Sequence, residues 1–367
     1  MDVVIVRENE EDLYAGIEYR LTDEVYQCLK LITRPGCENI ARYAFEYARR
    51  NGRRKVTCFT KDNIMKLTDG LFHRVFDEVG AQYPDIEKEH WIVDIGAAKL
   101  ADTPEAFDVI LMPNLYGDIL SDVAAQIAGS VGLAGSANIG AACAMFEAIH
   151  GSAPRRAGQN LANPSGLLLG AVMMLVHIGQ SDAAEKVHNA WLRTIEDGVH
   201  TYDVFEKGVS VEKVGTKEFA DAVAARIGRK PEKLRAVRYA SAAAAPSPAA
   251  PARRPPTRHE TVGVDVFVGW PSRDTDALAA KVQALADPGF RLAMMTCRGV
   301  KVWPGGMPET LRVDEVRCRL LGGNGAVDQA AVVALLGRLT ANGLAFVKTE
   351  MLSTFDGEKG FSLGQGE

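Results

Sequence analysis

Apolar positions in the first 237 residues follow two alternating periods. Short apolar runs at Val3–Val6, 90–95 (HWIVDI) and 107–112 (FDVILM) read as buried strands, and 54–60 (RKVTCFT) reads as another strand. A strand covered on both faces loses the polar alternation of a half-exposed one. Between and after them come stretches with apolar residues three and four apart: Asn39–Arg50, Asn63–Val79, 117–129 (GDILSDVAAQIAG), 164–179 (PSGLLLGAVMMLVHIG) and 182–198 (DAAEKVHNAWLRTIEDG). That spacing predicts helices, and the alternation predicts an α/β architecture. The segment 20–33 (RLTDEVYQCLKLIT) alternates with period two and predicts a hairpin-like arm.

The rhythm stops at Arg238–Thr261, where Ala, Pro and Ser dominate, and this stretch reads as a linker. Beyond it the order is β-α-β-β-β-α-β. A strand (TVGVDVFV) leads to a helix (DTDALAAKVQALAD), then to a hairpin (FRLAMMTCRGVKVW) turned at Arg298-Gly299. A strand (VDEVRCRLL), a helix (AAVVALLGRLTANG) and a last strand (LAFVKTEML) follow. Residues 262–367 therefore form a small α+β domain, and its polar residues make no catalytic cluster.

Composition narrows the function. The chain has 367 residues, 47% hydrophobic and 24% charged, with a net charge of −5. It is long enough for two or three domains, and its acidity argues against a general nucleic-acid or anionic-membrane partner. No apolar stretch reaches bilayer length and no signal sequence opens the chain. Six scattered cysteines without a CxxC read as reduced packing thiols of a cytoplasmic protein.

Four stretches carry candidate chemistry. In NLYGDILSD, Asp118 and Asp122 are four apart on a helix, so both carboxylates share one face. Such oxygens suit Mg²⁺ or Mn²⁺, and the same pair also fits a helix cap with a solvated acid. Asp94, expected at the end of the strand HWIVD, is a third acid of the kind. The stretch FEAIHGSAPRRAGQNLANP (146–164) reads as a long irregular loop between helical segments. Its small residues let backbone approach a ring or phosphate, and Arg155 and Arg156 suit forked phosphate contacts, or are two solvated cations. In RENEEDLYAGIE, Arg7 leaves a strand at the edge where α/β sheets bind ligands, and Tyr14 offers a phenol. In FTKDNIMK, Lys61 leaves another strand and Asn63 is expected as a helix N-cap.

Taken together and in this order, RENEEDLYAGIE, TKDNIMK, NLYGDILSD, ANIG and FEAIHGSAPRRAGQNLANP resemble the isocitrate dehydrogenase branch of the β-decarboxylating dehydrogenases. The tail, with GVDVFV and FDGEKGFSLGQGE, resembles the extra C-terminal domain of bacterial enzymes of the Thermus type. The resemblance implies the isocitrate/isopropylmalate dehydrogenase fold, with a small domain at about 1–11 and 37–128. It also implies an arm at about 12–36 that clasps two subunits, and part of a large domain at about 129–237. It implies oxidative decarboxylation of isocitrate to 2-oxoglutarate, with Arg7 and Asn63 on the substrate and Tyr14 and Lys61 as the acid–base pair. Asp94, Asp118 and Asp122 would hold the metal.

The family builds each site from two subunits, so a homodimer is implied, with Lys61, Asn63 and Asp94 coming from the partner of the chain that supplies Arg7, Asp118 and Asp122. His150, Gly151, Ser152, Ala153, Pro154, Arg155, Arg156, Asn163 and Tyr202 would bind the cofactor, His150 packing on adenine and Asn163 bonding it. Lys207 fits a further phosphate contact with one residue inserted. Where NAD-using relatives carry an acid and NADP-using ones a basic residue, this chain has Arg155; the next position, often Tyr in NADP-using relatives, is Arg156, and the pair points to NADP rather than NAD. Family members also carry, before the first strand, a GDGIGPE-like turn and a loop that binds isocitrate. This sequence opens directly on the strand, so an N-terminally shortened chain with little turnover of its own is the expectation. A non-catalytic subunit, or a dehydrogenase of 3-isopropylmalate or homoisocitrate, are the alternative readings.

Overall fold

A computed structural model describes residues 1–239, 255–286 and 289–364; most of the expected linker, 240–254, lies outside the described residues. The elements in chain order are β1 (Val4–Arg7), β2 (Glu18–Arg20), β3 (Tyr26–Cys28), α1 (Arg34–Arg50), β4 (Lys55–Thr60), α2 (Thr68–Gly80), β5 (Glu87–Ile92), α3 (Val93–Asp102), β6 (Val109–Met112), α4 (Asn114–Ile127), β7 (Gly135–Ile139) and β8 (Ala144–Ala148). Then come α5 (Ser165–His177), α6 (Ser181–Glu196), β9 (Val199–His200), β10 (Glu212–Lys213), α7 (Thr216–Ala224), β11 (His259–Gly269), α8 (Thr275–Ala286), β12 (Phe290–Cys297), β13 (Val300–Trp303), β14 (Glu315–Gly322), α9 (Gln329–Ala341), β15 (Phe346–Phe355) and β16 (Glu358–Lys359). The chain divides into two compact units. The arm 12–31 and residues 64–70 go with the tail, and the rest of the described residues up to 239 form the other unit.

In the first unit a parallel sheet runs β1-β6-β4-β5. Successive side chains of a strand face opposite ways, so Val56 and Cys58 of β4 and Val109 and Leu111 of β6 bury against α1 and α2. Phe59, Ile110 and Met112 bury on the other face with Leu100, Leu120 and Ala124 of α3 and α4. Both faces are covered, and this is why β1 and β6 read as apolar runs. Phe45 lies at the centre of one layer, stacked on Phe76 at 5.4 Å and Tyr83 at 5.1 Å.

Farther along this unit, β7 and β8 pair antiparallel and α5 packs on them. The approach is close enough that a Cβ on Gly170 would stand 2.8 Å from the Glu147 carbonyl oxygen. Phe219 and Val223 of α7 pack with Ala190 of α6.

The second unit holds an antiparallel sheet in the order β13-β12-β14-β11-β15-β16. Its β-α-β-β-α-β frame, β11-α8-β12-β14-α9-β15, places the four main strands in ferredoxin-like order, with β13 added at one edge and β16 at the other. Val264, Val266 and Val268 of β11 bury against Leu278 and Val282 of α8 and Leu335 and Leu339 of α9. The hairpin β2–β3 belongs here. Thr22 Oγ1 donates to Asp314 at 2.6 Å, Lys348 Nζ donates to the Gln27 side-chain oxygen at 2.9 Å, and Arg273 pairs with Glu24.

Several boundaries differ from the sequence reading. The first helix begins at Arg34 instead of Asn39: Thr33 caps it by accepting from Gly36 N–H at 3.1 Å, with a proline in its first turn. The second begins at Thr68, so Asn63 is not its N-cap but lies in the turns that precede it. The strand at HWIVDI ends at Ile92, and Asp94 sits in the first turn of α3. Residues 146–148 belong to β8, so the long loop runs from a strand to a helix, not between helices. The linker gives way to strand at His259, ahead of Thr261.

Candidate active site

Arg7 is the last residue of β1, and its side chain emerges at the carboxyl end of the parallel sheet, beside the start of α4. Its Nη1 donates to Asp118 Oδ1 at 2.6 Å, while Nε and Nη2 both donate to Asn114 Oδ1, at 3.0 and 2.7 Å. Asn114 in turn donates to the Glu11 carbonyl at 3.2 Å. Gly117 makes the approach possible: a Cβ there would lie 2.7 Å from Arg7 Cβ and 2.6 Å from its Cγ. Asp122 stands one turn beyond Asp118 on α4 and is exposed. Two carboxylates on one open helix face are hard oxygen donors of the kind Mg²⁺ and Mn²⁺ prefer, so the donor set fits such an ion.

Lys61 follows β4, and its Nζ donates to Asp94 Oδ1 at 2.7 Å. That bond, more than any other influence, holds the Asp94 carboxyl below its ordinary range. Among the described residues the oxygens of Asp94 do not gather with those of Asp118 and Asp122 within 4.8 Å. Tyr14 lies in a single 3-10 turn (Leu13–Ala15) of the second unit and is 51% exposed. The turn is anchored by Asp12, fully buried, which accepts from Lys30 Nζ at 2.6 Å; Lys30 also reaches buried Asp69 at 3.4 Å.

The loop after β8 lines a cavity of about 630 Å³. His150, Gly151, Ser152, Ala153, Pro154, Arg156, Asn163 and Tyr202 all line it, whereas Arg155 and Lys207 do not. The Arg156 guanidinium lies over the Tyr202 ring, 4.8 Å from its centre. A cation held on an aromatic face beside an open cavity is poised to meet an anion. Asn163 is buried. Its oxygen accepts from Ser165 N–H at 3.0 Å and its amide donates to Asp203 at 3.0 Å. His150 is exposed, its Nδ1 2.9 Å from the Gly151 carbonyl oxygen.

Sequence reasoning missed the far wall of this cavity: Gln126, Ser130, Gly132 and Asp203. Burial pushes the Asp203 carboxyl up, but hydrogen bonds from Ser130, Thr201 and Asn163 outweigh it and hold the group below its ordinary range. A Cβ on Gly132 would lie 2.8 Å from Asp203 Oδ2, so a glycine is required there. Asp203 adjoins Tyr202 in sequence, and that adjacency is the one signal that points to it.

Comparison with known proteins gives the following. Residues 1–223 match the family described as isocitrate/isopropylmalate dehydrogenase, and residues 259–367 match the bacterial isocitrate dehydrogenase C-terminal domain. The chain is 52% identical to a Rickettsia bellii protein named isocitrate dehydrogenase [NADP], over 100% of this chain and 76% of that protein. It is 44% identical to a Thermus thermophilus protein of the same name, over 100% of this chain and 74% of that one. A crystal structure of a Thermus thermophilus protein superposes with a TM-score of 0.89 at 44% identity, covering 99% of this chain and 73% of that one. An isocitrate dehydrogenase from Methylococcus capsulatus gives a TM-score of 0.58 at 45% identity over 61% of this chain and 66% of that chain.

Proposed function

The chain belongs to the isocitrate/isopropylmalate dehydrogenase family, and from that premise we propose that it catalyses the oxidative decarboxylation of isocitrate to 2-oxoglutarate and CO₂ with reduction of NADP. The observation that carries the reading is the cavity walled by His150–Pro154, Arg156, Asn163 and Tyr202, on a chain alike along its whole length to proteins named isocitrate dehydrogenase [NADP].

Each residue has a part. Arg7, locked by Asn114 and Asp118, presents a fixed guanidinium to a substrate carboxylate. Asn63 adds a substrate contact beside Lys61. Asp118 and Asp122, with Asp94 of a second subunit, provide the oxygen ligands for Mg²⁺ or Mn²⁺. Such an ion would supply Lewis-acid polarisation of the substrate oxygen at C2, and the hydride leaving C2 would reduce NADP⁺. Oxidised at C2, the substrate is a β-keto acid and loses CO₂. Tyr14 and Lys61 handle the two protons of the cycle: one leaves the hydroxyl as the hydride departs, and one returns to the enolate carbon.

In the cofactor cavity, Arg156 on Tyr202 meets the 2′-phosphate, with Arg155 adding charge nearby. His150 packs on adenine, and the small residues Gly151–Ala153 let the backbone close on the ring. A homodimer follows from the sharing of Lys61, Asn63 and Asp94 across subunits. Six free thiols support a cytoplasmic location.

The test is product identification. Isocitrate, Mg²⁺ and NADP⁺ with the full chain should yield 2-oxoglutarate and CO₂ in step with NADPH, however slow the turnover. Formation of NADPH without 2-oxoglutarate would reject the proposed reaction.

A further inference from the structure

Lys61 and Asn63 flank a residue that neither the mechanism nor the family resemblance uses. Asp62 lies just past the last ladder pair of β4 and β5, Thr60 with Ile92, so no strand pairing fixes the backbone there. Its carboxylate is held by side chains instead. His73 of α2 approaches Asp62 Oδ2 through Nδ1 at 2.7 Å. Thr60, the last residue of β4, bonds the same carboxylate, and His90 of β5 closes the set, its Nε2 2.8 Å from Thr60 Oγ1 and 3.9 Å from Asp62 Oδ1. Burial pushes the Asp62 carboxyl up, but the His73 hydrogen bond and the charge of both imidazoles hold it below its ordinary range. An ionised carboxylate only accepts, so His73 Nδ1 carries the proton in this bond. On its far side His73 Nε2 faces Asp77 at 3.5 Å, and Asp77 accepts from Lys88 at 3.1 Å. The three elements β4, α2 and β5 thus converge on one side chain between Lys61 and Asn63.

A metal is the other occupant to weigh, because Asp62, His73 and His90 gather their donor atoms within 4.8 Å. The imidazoles, however, stack face to face, 3.6 Å apart and 14° from parallel. Their nitrogen lone pairs lie in separate parallel planes and cannot converge on one ion without turning a ring out of the stack.

We infer that Asp62 is a positioning residue: clamped by His73 and Thr60, it sets the course of the turn that aims Lys61 at Asp94 and Asn63 at the substrate. Its catalytic part rests on the function proposed above; its structural part does not. Misplacement of a reacting group by about 1 Å costs up to about 100-fold in rate, so a clamp one residue away is well placed to matter.

Two variants at His73, read in two ways, test it. His73→Ala removes the donor to Asp62. His73→Asn also removes the ring, and with it the stack on His90, yet keeps an N–H close to where Nδ1 stood. We expect His73→Ala to lower kcat at least about 10-fold and His73→Asn to recover most of that loss. Independently of turnover, mass spectrometry should show Lys61 acetylated by acetic anhydride faster in His73→Ala than in wild type or His73→Asn. A purely structural role would harm both variants alike, since both lose the stack, and equal losses would overturn the proposal. So would an unchanged Lys61 reactivity in His73→Ala. If wild type shows no isocitrate-dependent NADP reduction, the proposed function fails. The acetylation result then stands by itself for or against the clamp.

Discussion

Lys61 donates to Asp94 across 2.7 Å, tying the residue that follows β4 to the first turn of α3. A residue proposed as acid–base and a residue proposed as metal ligand are thus bonded to each other within one chain. Asp94, with its carboxyl depressed first of all by this bond, stays ionised well into acid. Replacing Lys61 by Met should lower kcat by about 100-fold or more, the usual weight of a positioned proton carrier. The Asp94 pKa should move back up towards its ordinary value, which carboxyl-carbon NMR titration reads directly.

Gly117 and Arg7 give a sharper test. A methyl at 117 collides with the Arg7 side chain at its root, where the chain cannot swing aside. Gly117→Ala should displace the guanidinium from Asn114 and Asp118. The loss of one charge-assisted contact to substrate, about 1.5–3 kcal/mol, corresponds to a KM for isocitrate about 10- to 100-fold higher. The KM for NADP should stay unchanged, and steady-state kinetics with each substrate varied separates the two.

Arg156 lines the cavity and Arg155 does not, though the sequence places them side by side. Arg156→Ala should therefore weaken NADP binding about 10- to 100-fold and leave NAD binding nearly as it was. Arg155→Ala should have the smaller effect on NADP. Fluorescence titration of both variants with NADPH and NADH checks the order.

The tail unit carries its own pH dependence. Glu315 is 5% exposed and its Oε1 has no hydrogen-bond partner. Burial pushes its carboxyl from 4.5 up to about 7, against the pull of Arg317 and Lys348. The folded state therefore holds a proton that the unfolded chain releases at lower pH. Stability is full below about pH 4.5 and is lost as pH rises through about 7, by roughly 3 kcal/mol in all. Glu315→Gln should remove that loss, raising the Tm of the tail's transition at about pH 8 and leaving it almost unchanged at about pH 4.5, as calorimetry would record.

Much of this was legible in the sequence because the first unit's sheet is buried on both faces. Such strands announce themselves as apolar runs, and β1 and β6 lie on the runs at Val3–Val6 and 107–112. The tail read equally well, down to the turn at Arg298-Gly299, where both residues have positive φ. The hairpin β7–β8 was not legible. Its strands, GSANI and AMFEA, contain no Val and one Ile, and it is held by the close packing of α5 at Gly166 and Gly170, which no local propensity records. Asn63 looked like a cap because it precedes an apolar run, but the preceding Asp62 spends its carboxylate on His73, and the helix starts five residues later. His150–Pro154, Arg156 and Asn163 of the cavity's near wall share one loop and stand out in the sequence as a group; Gln126, Ser130 and Asp203 come from distant segments and do not.

The most direct measurement is a set of initial rates of nicotinamide reduction by the full chain. Isocitrate or 3-isopropylmalate would be paired with NADP⁺ or NAD⁺, each with Mg²⁺ and again with a chelator in excess. The account predicts that isocitrate with NADP⁺ and Mg²⁺ far exceeds every other combination, and that the chelator abolishes it. Equal or faster reduction of NAD⁺, a preference for 3-isopropylmalate, or a rate indifferent to the chelator would contradict it.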